Sequence, residues 1–319
     1  MLRERAPRVQ TSARGAAPVR IGTRGSALAL AQTRVVAAAL EKSGVPVELV
    51  TISTEGDRST ESLASLGGTG VFASALREAL VQGKCDAIVH SLKDLPTQPH
   101  PGLVIAATPK REDVRDALCA RDGLTLDSLP EGARIGTGSP RRRAQLSARR
   151  PDVEVVDIRG NVDTRLGRVG VDLDAVILAA AGLSRLGRLD AITEYLGIDG
   201  WPTAPGQGAV AIEVRAGEEK SVSSLDHRPT RVTVDAERQV LALLEAGCAA
   251  PIGAHALIDD GLLFLSARVY SADGAERLTS SHALYLSDVT NPATELATRV
   301  ARELLDAGAA TLAPLGGGV

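Results

Sequence analysis

Residues 19–44 read VRIGTRGSALALAQTRVVAAALEKSG. The apolar run that ends at Arg24 predicts a short β-strand, and the glycine after it predicts a turn. Ser26 is suited to cap the N-terminus of the helix that follows, in which apolar residues recur at helical spacing as far as Gly44. The stretch therefore predicts a strand, a turn and an amphipathic helix, which is the repeating unit of α/β folds.

The same alternation continues along the chain. Strand patterns over 47–54, 85–91 and 102–108 enclose a helical pattern over 70–84. Strands that alternate with helices usually pair in parallel, so these residues predict a largely parallel sheet.

A second α/β unit begins near Asp116. Its predicted strands and helices cover 133–139, 140–150, 153–158, 161–169 and 173–187. The strand pattern in 204–215 is expected to return to the first unit. A helical pattern at 234–247 then leads into a small α+β tail, with strands predicted at 252–259, 262–271 and 275–286 and a helix at 292–308.

The composition limits the class of protein. A chain of 319 residues suffices for two or three domains. The net charge of 36 − 39 = −3 argues against a general nucleic-acid binder, which is usually basic. Only five of the 36 cationic residues are Lys. The excess of Arg reflects either coding bias or bidentate recognition of carboxylate or phosphate groups.

Sequence features also bear on the compartment. The three cysteines, Cys85, Cys119 and Cys248, form no CxxC motif, which fits a reducing compartment. No apolar run reaches about 18 residues, so no membrane span is expected. Residues 1–18 lack the apolar core of a secretory signal and are interpreted as a disordered extension rather than an organelle transit peptide. We expect a cytoplasmic protein.

Lys93 and Asp94 follow a predicted buried strand in HSLKDLP, residues 90–96. In open α/β sheets, ligands bind beyond the carboxyl ends of the strands. An acid at that edge can stabilise a developing cation or transfer a proton. The alternative is a solvent-exposed Lys–Asp pair in a loop.

Residues 134–168 hold nine Arg against four acidic residues. Their first segment, RIGTGSPRRRAQL, places a glycine-rich turn at the start of a helix, where free backbone N–H groups can face an anion. Consecutive arginines on a helix point in different directions, so Arg141, Arg142 and Arg143 cannot all face one ligand. The region predicts an anionic ligand, and the alternative is a solvated basic face.

Cys248 follows a predicted helix and is flanked by Gly and Ala, which leave its sulfur open. A free cysteine is most often a small buried apolar residue. The alternative is a thiol nucleophile, although the sequence assigns no partner His and so does not support a protease-like dyad.

Taken together, these segments resemble the hydroxymethylbilane synthase family, also called the porphobilinogen deaminase family. Eight segments between residues 20 and 254 carry the resemblance in the family's order: IGTRGSALALAQ, VTISTEGD, VHSLKDLPT, GTGSPRRRAQL, IRGNVDTRL, ILAAAGLSRLG, APGQGAVAIE and EAGCAAPIGA.

The resemblance implies an activity. Members carry a dipyrromethane primer, made from their own substrate, in thioether linkage to the cysteine that matches Cys248. They deaminate four porphobilinogens, add them one at a time, and release linear hydroxymethylbilane with water. Asp94 matches the catalytic aspartate, which stabilises positively charged pyrrole states.

The resemblance also gives the Arg excess a chemical reason, because every pyrrole ring carries an acetate and a propionate. The residues that match carboxylate-holding positions of the family are Arg24, Ser26, Lys93, Ser139, Arg141, Arg142, Arg159, Arg165 and Arg185, together with Thr137 and Gln207. Phe72 matches a ring that packs beside the pyrroles, and no metal is implied. Ser65 and Thr69 depart from the family, which carries Lys there in a cover loop, so substrate affinity or loop closure is expected to differ.

The resemblance implies two α/β lobes, like those of periplasmic binding proteins, flanking a cleft to which a small C-terminal α+β domain presents Cys248. The expected bounds are 1–18 for the extension, 19–112 with 207–229 for the first domain, 113–206 for the second and 230–319 for the third. We expect a monomer with porphobilinogen as its partner and no nucleic acid or membrane. The rival hypotheses are a non-catalytic two-lobed binding protein for an anionic small molecule and an inactive paralogue.

Overall fold

The structure is a computed structural model. It describes residues 17–53, 70–246, 250–313 and 315, with the backbone alone for 70–72. Three predicted functional positions, Ser65, Thr69 and Cys248, lie outside the described residues, as does the side chain of Phe72. No helix in the described part of the chain is long and apolar enough to cross a membrane.

The first lobe is built on a five-stranded sheet. Its strands are β1 (Val19–Arg24), β2 (Val47–Ile52), β3 (Ala87–Ser91), β4 (Leu103–Ala107) and β10 (Val210–Arg215), in the spatial order β2-β1-β3-β10-β4. β1 pairs in parallel with β2 and β3, whereas β10 runs antiparallel between β3 and β4. Helices α1 (Ala27–Lys42) and α2 (Gly70–Val81) connect the parallel strands.

Helix α1 begins where the sequence predicts. The Ser26 hydroxyl accepts a hydrogen bond from the backbone N–H of Ala29 at 3.3 Å, which satisfies one of the free donors of the first turn. Gly44, at φ +88°, follows the helix in a conformation that favours glycine. The buried face of α1, including Val36 and Leu40, packs on the core of the sheet.

The second lobe repeats this arrangement. Its strands are β5 (Asp116–Ala120), β6 (Arg134–Gly136), β7 (Glu154–Val156), β8 (Ala175–Ala179) and β9 (Glu194–Leu196), in the order β7-β6-β8-β5-β9. β6 is parallel to β7 and β8, and β5 is antiparallel to β8 and β9. The helices are α3 (Pro140–Arg149), α4 (Val162–Leu166) and α5 (Ala180–Arg185).

Each sheet is therefore mixed rather than largely parallel. The antiparallel strands are β5 and β10, the first strands that the chain forms after crossing from one lobe to the other. Asp116, the first residue of β5, lies opposite Ala179, the last residue of β8. Because the chain enters each lobe at the edge where the parallel strands end, the entering strand has to run in the opposite direction.

The C-terminal part is a three-stranded antiparallel sheet with helices on one face. Its elements are α6 (Arg228–Leu243), β11 (Ile252–Asp259), β12 (Leu262–Tyr270), β13 (Arg277–Tyr285), α7 (Pro292–Asp306) and α8 (Ala309–Leu312). Val240, Leu265 and Leu304 lie in its core. Helix α6 begins earlier than predicted because Pro229 occupies its first turn, where proline is tolerated, and the His227 side chain caps it.

The predicted class, two α/β lobes and a small C-terminal α+β domain, is confirmed. The predicted helix over 161–169 is shorter, at Val162–Leu166. The residue bounds proposed for the domains stay a prediction.

Candidate active site

The two lobes enclose a cavity of about 980 Å³. It lies where the parallel strands of both sheets end, since its lining includes Arg24 at the end of β1, Ser91 at the end of β3 and Ala179 at the end of β8. Strand ends leave backbone and side chains free to contact a ligand. The cavity is therefore the candidate site that the strand pattern predicts.

Cationic side chains dominate the charge of this cavity. Among the described residues, its lining contains six cations against two carboxylates: Arg24, Lys93, Arg142, Arg159, Arg165 and Arg185 against Asp94 and Asp163. Cations held close together repel one another unless a counter-charge is present. The arrangement favours a ligand that carries several negative charges.

Asp94 reaches the cavity through a 3₁₀ turn, Leu92–Asp94, that continues from β3. Leu92 and Leu95 are buried on either side of it and anchor the turn in the first lobe. Asp94 itself is exposed and lines the cavity. Its carboxylate can therefore face a reacting group directly.

Lys93 is half-buried beside Asp94. Its Nζ donates a hydrogen bond to Oε1 of Gln207 at 3.2 Å. Burial lowers the pKa of Lys93 to about 8, although the charge of Asp94 opposes the shift. The Gln207 amide is fixed from its other side, because its Nε2 donates to Asp116 and to the carbonyl of Val114, both at 2.8 Å.

Asp116 is a functional candidate that the sequence reasoning missed. Its carboxylate is fully buried and accepts four donors, namely Arg142 at 2.6 Å, Gln207 at 2.8 Å, and Arg141 and Trp201 at 2.9 Å. Burial alone would raise the pKa of Asp116, but the two guanidinium groups outweigh this and hold it well below its usual range. The donors are distant in sequence from Asp116, so no local motif predicts its role.

The predicted run of arginines diverges. Arg141 is directed to Asp116, to Gln145 and to the carbonyl of Pro202, and it is not among the residues that line the cavity. Arg142 lines the cavity and bonds to Asp116 and to the carbonyl of Ile177. The prediction that consecutive arginines cannot all face one ligand is confirmed.

Two arginines of the cavity keep buried donors without partners. The buried Nε atoms of Arg142 and Arg159 have no hydrogen-bond partner within the part of the chain that the structure describes. A buried unpaired donor on a cation is costly. Oδ2 of Asp157 lies 3.8 Å from Nε of Arg159, which supplies a counter-charge but no hydrogen bond, so a bound anion would add the missing partner.

Two further cations of the cavity, Arg165 and Arg185, are held by backbone carbonyls. Arg165 donates from Nε to Gly160 O at 2.8 Å, and Arg185 donates from Nη2 to Gly208 O at 2.7 Å. Burial lowers the pKa of both guanidinium groups, and neighbouring arginines lower that of Arg165 further. Both groups would regain stabilisation from a bound carboxylate.

The glycine-rich turn contributes to packing. Ser139 caps α3 by accepting from the N–H of Arg142 at 3.5 Å, and its own N–H donates to Thr137 at 3.2 Å. A Cβ at Gly138 would lie 2.6 Å from the carbonyl oxygen of Ile158, so only glycine fits there. Neither Thr137 nor Ser139 is among the residues that line the cavity, whereas Ser26 does line it.

Two α/β lobes around a cation-lined cleft define a class of protein that holds anionic small molecules. Comparisons with known proteins narrow the class. A family model described as "Porphobilinogen deaminase, dipyromethane cofactor binding domain" matches residues 19–223, and one for the C-terminal domain of porphobilinogen deaminase matches residues 231–306. The chain belongs to the porphobilinogen deaminase family.

Porphobilinogen deaminases from several bacteria are similar in sequence to this chain over most of its length. The porphobilinogen deaminase of Leifsonia xyli is 60% identical over 313 residues, covering 94% of this chain and 95% of that protein. Those of Thermobifida fusca and Mycobacterium tuberculosis are each 50% identical, covering 92% of this chain and 94% and 98% of those proteins. The predicted family is confirmed, and the relatives, which are named as enzymes, do not support a non-catalytic binding protein.

Solved structures give a weaker comparison. A periplasmic substrate-binding protein of an ABC transporter from Coxiella burnetii matches with a TM-score of 0.41 and 18% identity, covering 69% of this chain and 96% of that one. A TM-score this low does not by itself support a shared fold.

Proposed function

We propose that this chain is a hydroxymethylbilane synthase. It deaminates four porphobilinogen molecules, condenses them head-to-tail onto a dipyrromethane primer joined through a thioether to Cys248, and releases the linear product by hydrolysis. The observation that carries the proposal is a carboxylate, Asp94, in a cavity to which the described residues contribute six cations. Asp163, which also lines the cavity, is bonded to Arg188 at 3.0 Å.

The residues present fit a dipyrromethane group. Two linked pyrroles carry four carboxylates, and Arg142 and Arg159, whose buried Nε atoms have no hydrogen-bond partner among the described residues, are suited to donate to two of them. A cavity of about 980 Å³ is also at the upper end of the range typical of small-molecule sites, which leaves room for added rings. When bound, the primer supplies the pyrrole carbon to which the first substrate is joined.

The proposed carboxylate-holding residues form two sets. Those that line the cavity are Arg24, Ser26, Lys93, Arg142, Arg159, Arg165 and Arg185. The second set does not line the cavity but supports the first through hydrogen bonds and ion pairs. Its members are Thr137, Ser139, Arg141 and Gln207. Phe72 is proposed to pack beside the pyrroles by family match alone.

Asp94 is proposed to stabilise the positive charge that develops on the substrate. As the C–N bond of porphobilinogen breaks and ammonia leaves, positive charge develops on the substrate. The carboxylate of Asp94 offsets this charge, and a carboxylate already directed at the developing charge needs little reorganisation during the reaction. The arginines orient the substrate by its acetate and propionate groups, so the reacting carbon faces Asp94 rather than a cation.

Cys248 is proposed as the attachment site because it matches the family's cysteine and because the other two are poor nucleophiles. Cys85 and Cys119 are both buried, and burial raises the pKa of both thiols, that of Cys119 to about 12. The domain bounds of the sequence analysis, the monomeric state and the cytoplasmic location are part of the same proposal.

An assay with porphobilinogen tests this function. The purified protein should consume four porphobilinogens and release four ammonia molecules for each hydroxymethylbilane formed. A protein that binds porphobilinogen without releasing ammonia would instead be an inactive paralogue.

A further inference from the structure

The turn that carries Asp94 is held from the C-terminal domain. Arg238, on α6, donates from Nη1 to the carbonyls of Leu92 at 3.1 Å and Leu95 at 2.8 Å, and from Nη2 to the carbonyl of Pro96 at 2.8 Å. These carbonyls lie on both sides of Asp94 in the chain. One guanidinium group therefore fixes the backbone before and after the carboxylate.

The turn has little order of its own. It is a single 3₁₀ turn closed by one backbone hydrogen bond, from Leu95 N–H to Leu92 O at 3.2 Å. Such turns have poor hydrogen-bond geometry, so their conformation depends on outside contacts. The buried side chains of Leu92 and Leu95 restrain where the turn lies, while Arg238 restrains how its peptide groups are rotated. The held peptide groups lie just before and just after the two that flank Asp94, so they limit the backbone conformations open to Asp94 and with them the directions that its side chain can take.

Helix α6 is itself firmly placed. Glu237, which precedes Arg238, is fully buried and accepts both Nη groups of Arg111 at 2.7 and 2.8 Å and the N–H of Gly206 at 2.7 Å. It also accepts the N–H of Ala256 in β11 at 2.8 Å. α6 ends at Leu243, so its chain continues within five residues to Cys248. The helix that contacts the Asp94 turn thus leads directly to the proposed attachment site.

We propose that Arg238 is a positioning residue for deamination, which fixes the direction of the Asp94 carboxylate from the domain that carries the primer. This inference rests on the proposed function. Arg238 does not touch the substrate. It acts through the backbone of residues 92–96, and a misdirection of the carboxylate by about 1 Å is enough to cost up to a hundredfold in rate.

The rival explanation is that Arg238 only joins two domains. Arg231 provides the matched control because it lies on the same helix, donates to the carbonyl of Ile105 in the first lobe at 3.3 Å, and is anchored by Asp226 at 2.6 Å. It bridges the same two domains without contacting the Asp94 turn. Arg231→Met therefore removes a comparable bridge and leaves the turn intact.

The experiment measures kcat, KM and intact mass for Arg238→Met, Arg238→Lys and Arg231→Met, each prepared as primer-bearing enzyme. Arg238→Met should lower kcat by about tenfold or more with KM within about twofold of wild type, because the cations of the cavity are unchanged. Arg238→Lys should recover part of the loss, and Arg231→Met should keep wild-type kcat.

The same substitutions in an Asp94→Asn background complete the test. If Arg238 acts through Asp94, Arg238→Met should add no further loss to the residual single-turnover rate. An unchanged kcat in Arg238→Met, an equal loss in Arg231→Met, a full additional loss in the Asp94→Asn background, or a missing primer in both Arg238 variants would each overturn the inference. Failure of the proposed function would look different, since wild type itself would release no ammonia.

Discussion

Arg142 and Asp116 form a buried ion pair beside the cleft, with 2.6 Å between Nη2 and Oδ1. Arg142 also lines the cavity, whereas its neighbour Arg141 bonds to the same carboxylate and does not. One buried acid therefore orients both arginines at the start of α3. It also bonds to Gln207, which accepts from Lys93, so Asp116 supports cations in both lobes.

Asp116→Asn should lower the free energy of unfolding and weaken substrate binding in the cleft. Removing one partner of a buried ion pair costs about 3–5 kcal/mol, because the arginines are left buried without a counter-charge. Glu213→Gln is the matched control, since Glu213 is a buried acid bonded to Arg77 and His90 and does not line the cavity. Denaturant unfolding should show a loss in both variants, and KM should rise only in Asp116→Asn. A wild-type KM in folded Asp116→Asn would contradict this role.

Arg159→Leu should impair primer assembly or chain elongation with little effect on stability. Its nearest carboxylate is Asp157, at 3.8 Å, and both side chains are partly exposed. Each charge-assisted bond lost to a carboxylate costs about 1.5–3 kcal/mol in binding. Arg142→Leu should impair elongation and also lower the free energy of unfolding, because it breaks the pair with Asp116. Mass spectrometry of the enzyme intermediates follows elongation, and normal elongation in both variants would show that neither arginine holds a substrate carboxylate.

The pH dependence of KM should report Lys93. Its pKa lies at about 8, so its charge is lost in the folded protein as pH rises through that value, and its hold on a substrate carboxylate weakens. KM should therefore rise above about pH 8, and Lys93→Arg, which stays charged, should remove that rise. Identical KM profiles for the two proteins would rule out this assignment.

Deprotonation of Lys93 weakens substrate binding but increases the stability of the folded protein. Between pH 8 or so and the ordinary lysine value of roughly 10.4, the unfolded chain binds more protons than the folded one. The contribution of Lys93 to the free energy of unfolding therefore increases with pH across that window. Comparing wild type with Lys93→Met by denaturant unfolding at several pH values isolates this term.

Asp94→Asn should keep the fold and lose turnover by roughly a hundredfold or more, because a carboxylate that offsets a developing cation can be worth several kcal/mol. Asp94 is exposed, so thermal unfolding should be close to that of wild type. Asp163→Asn is a useful comparison, because Asp163 is a second acid among the described residues that line the cavity. Turnover close to wild type in correctly folded Asp94→Asn would refute the assignment.

Local signals predicted much of this fold. The cap at Ser26, the helix that ends before Gly44 and the strand that leads to Asp94 all depend on neighbouring residues, which a sequence displays directly. The antiparallel direction of β5 and β10 does not depend on neighbouring residues, because it follows from where the chain crosses between the lobes. The strand pattern alone therefore suggested sheets more parallel than they are.

In the site, too, features set by neighbouring residues were predicted and features set by distant contacts were not. The strand pattern predicted that Lys93 and Asp94 lie at the ligand-binding edge of the sheet, whereas Arg24, also at a strand end, was assigned to the site by the family resemblance. The role of Asp116 depends on donors from distant segments, and the direction of Arg141 depends on Asp116 and Pro202. Contacts of this kind have no periodicity in the sequence, so the sequence pattern points to Arg141 as a ligand-binding residue and not to Asp116.

The most direct test of the whole account is the intact mass of the purified protein, with peptide mapping of the adduct. Wild type, Cys85→Ser and Cys119→Ser should each carry the added mass of two linked pyrroles on the peptide that contains Cys248. Cys248→Ser should be folded, without the adduct and without useful activity, because a serine oxygen is far less nucleophilic near neutral pH. An adduct on Cys85 or Cys119, or full activity in Cys248→Ser, would contradict both the site and the mechanism.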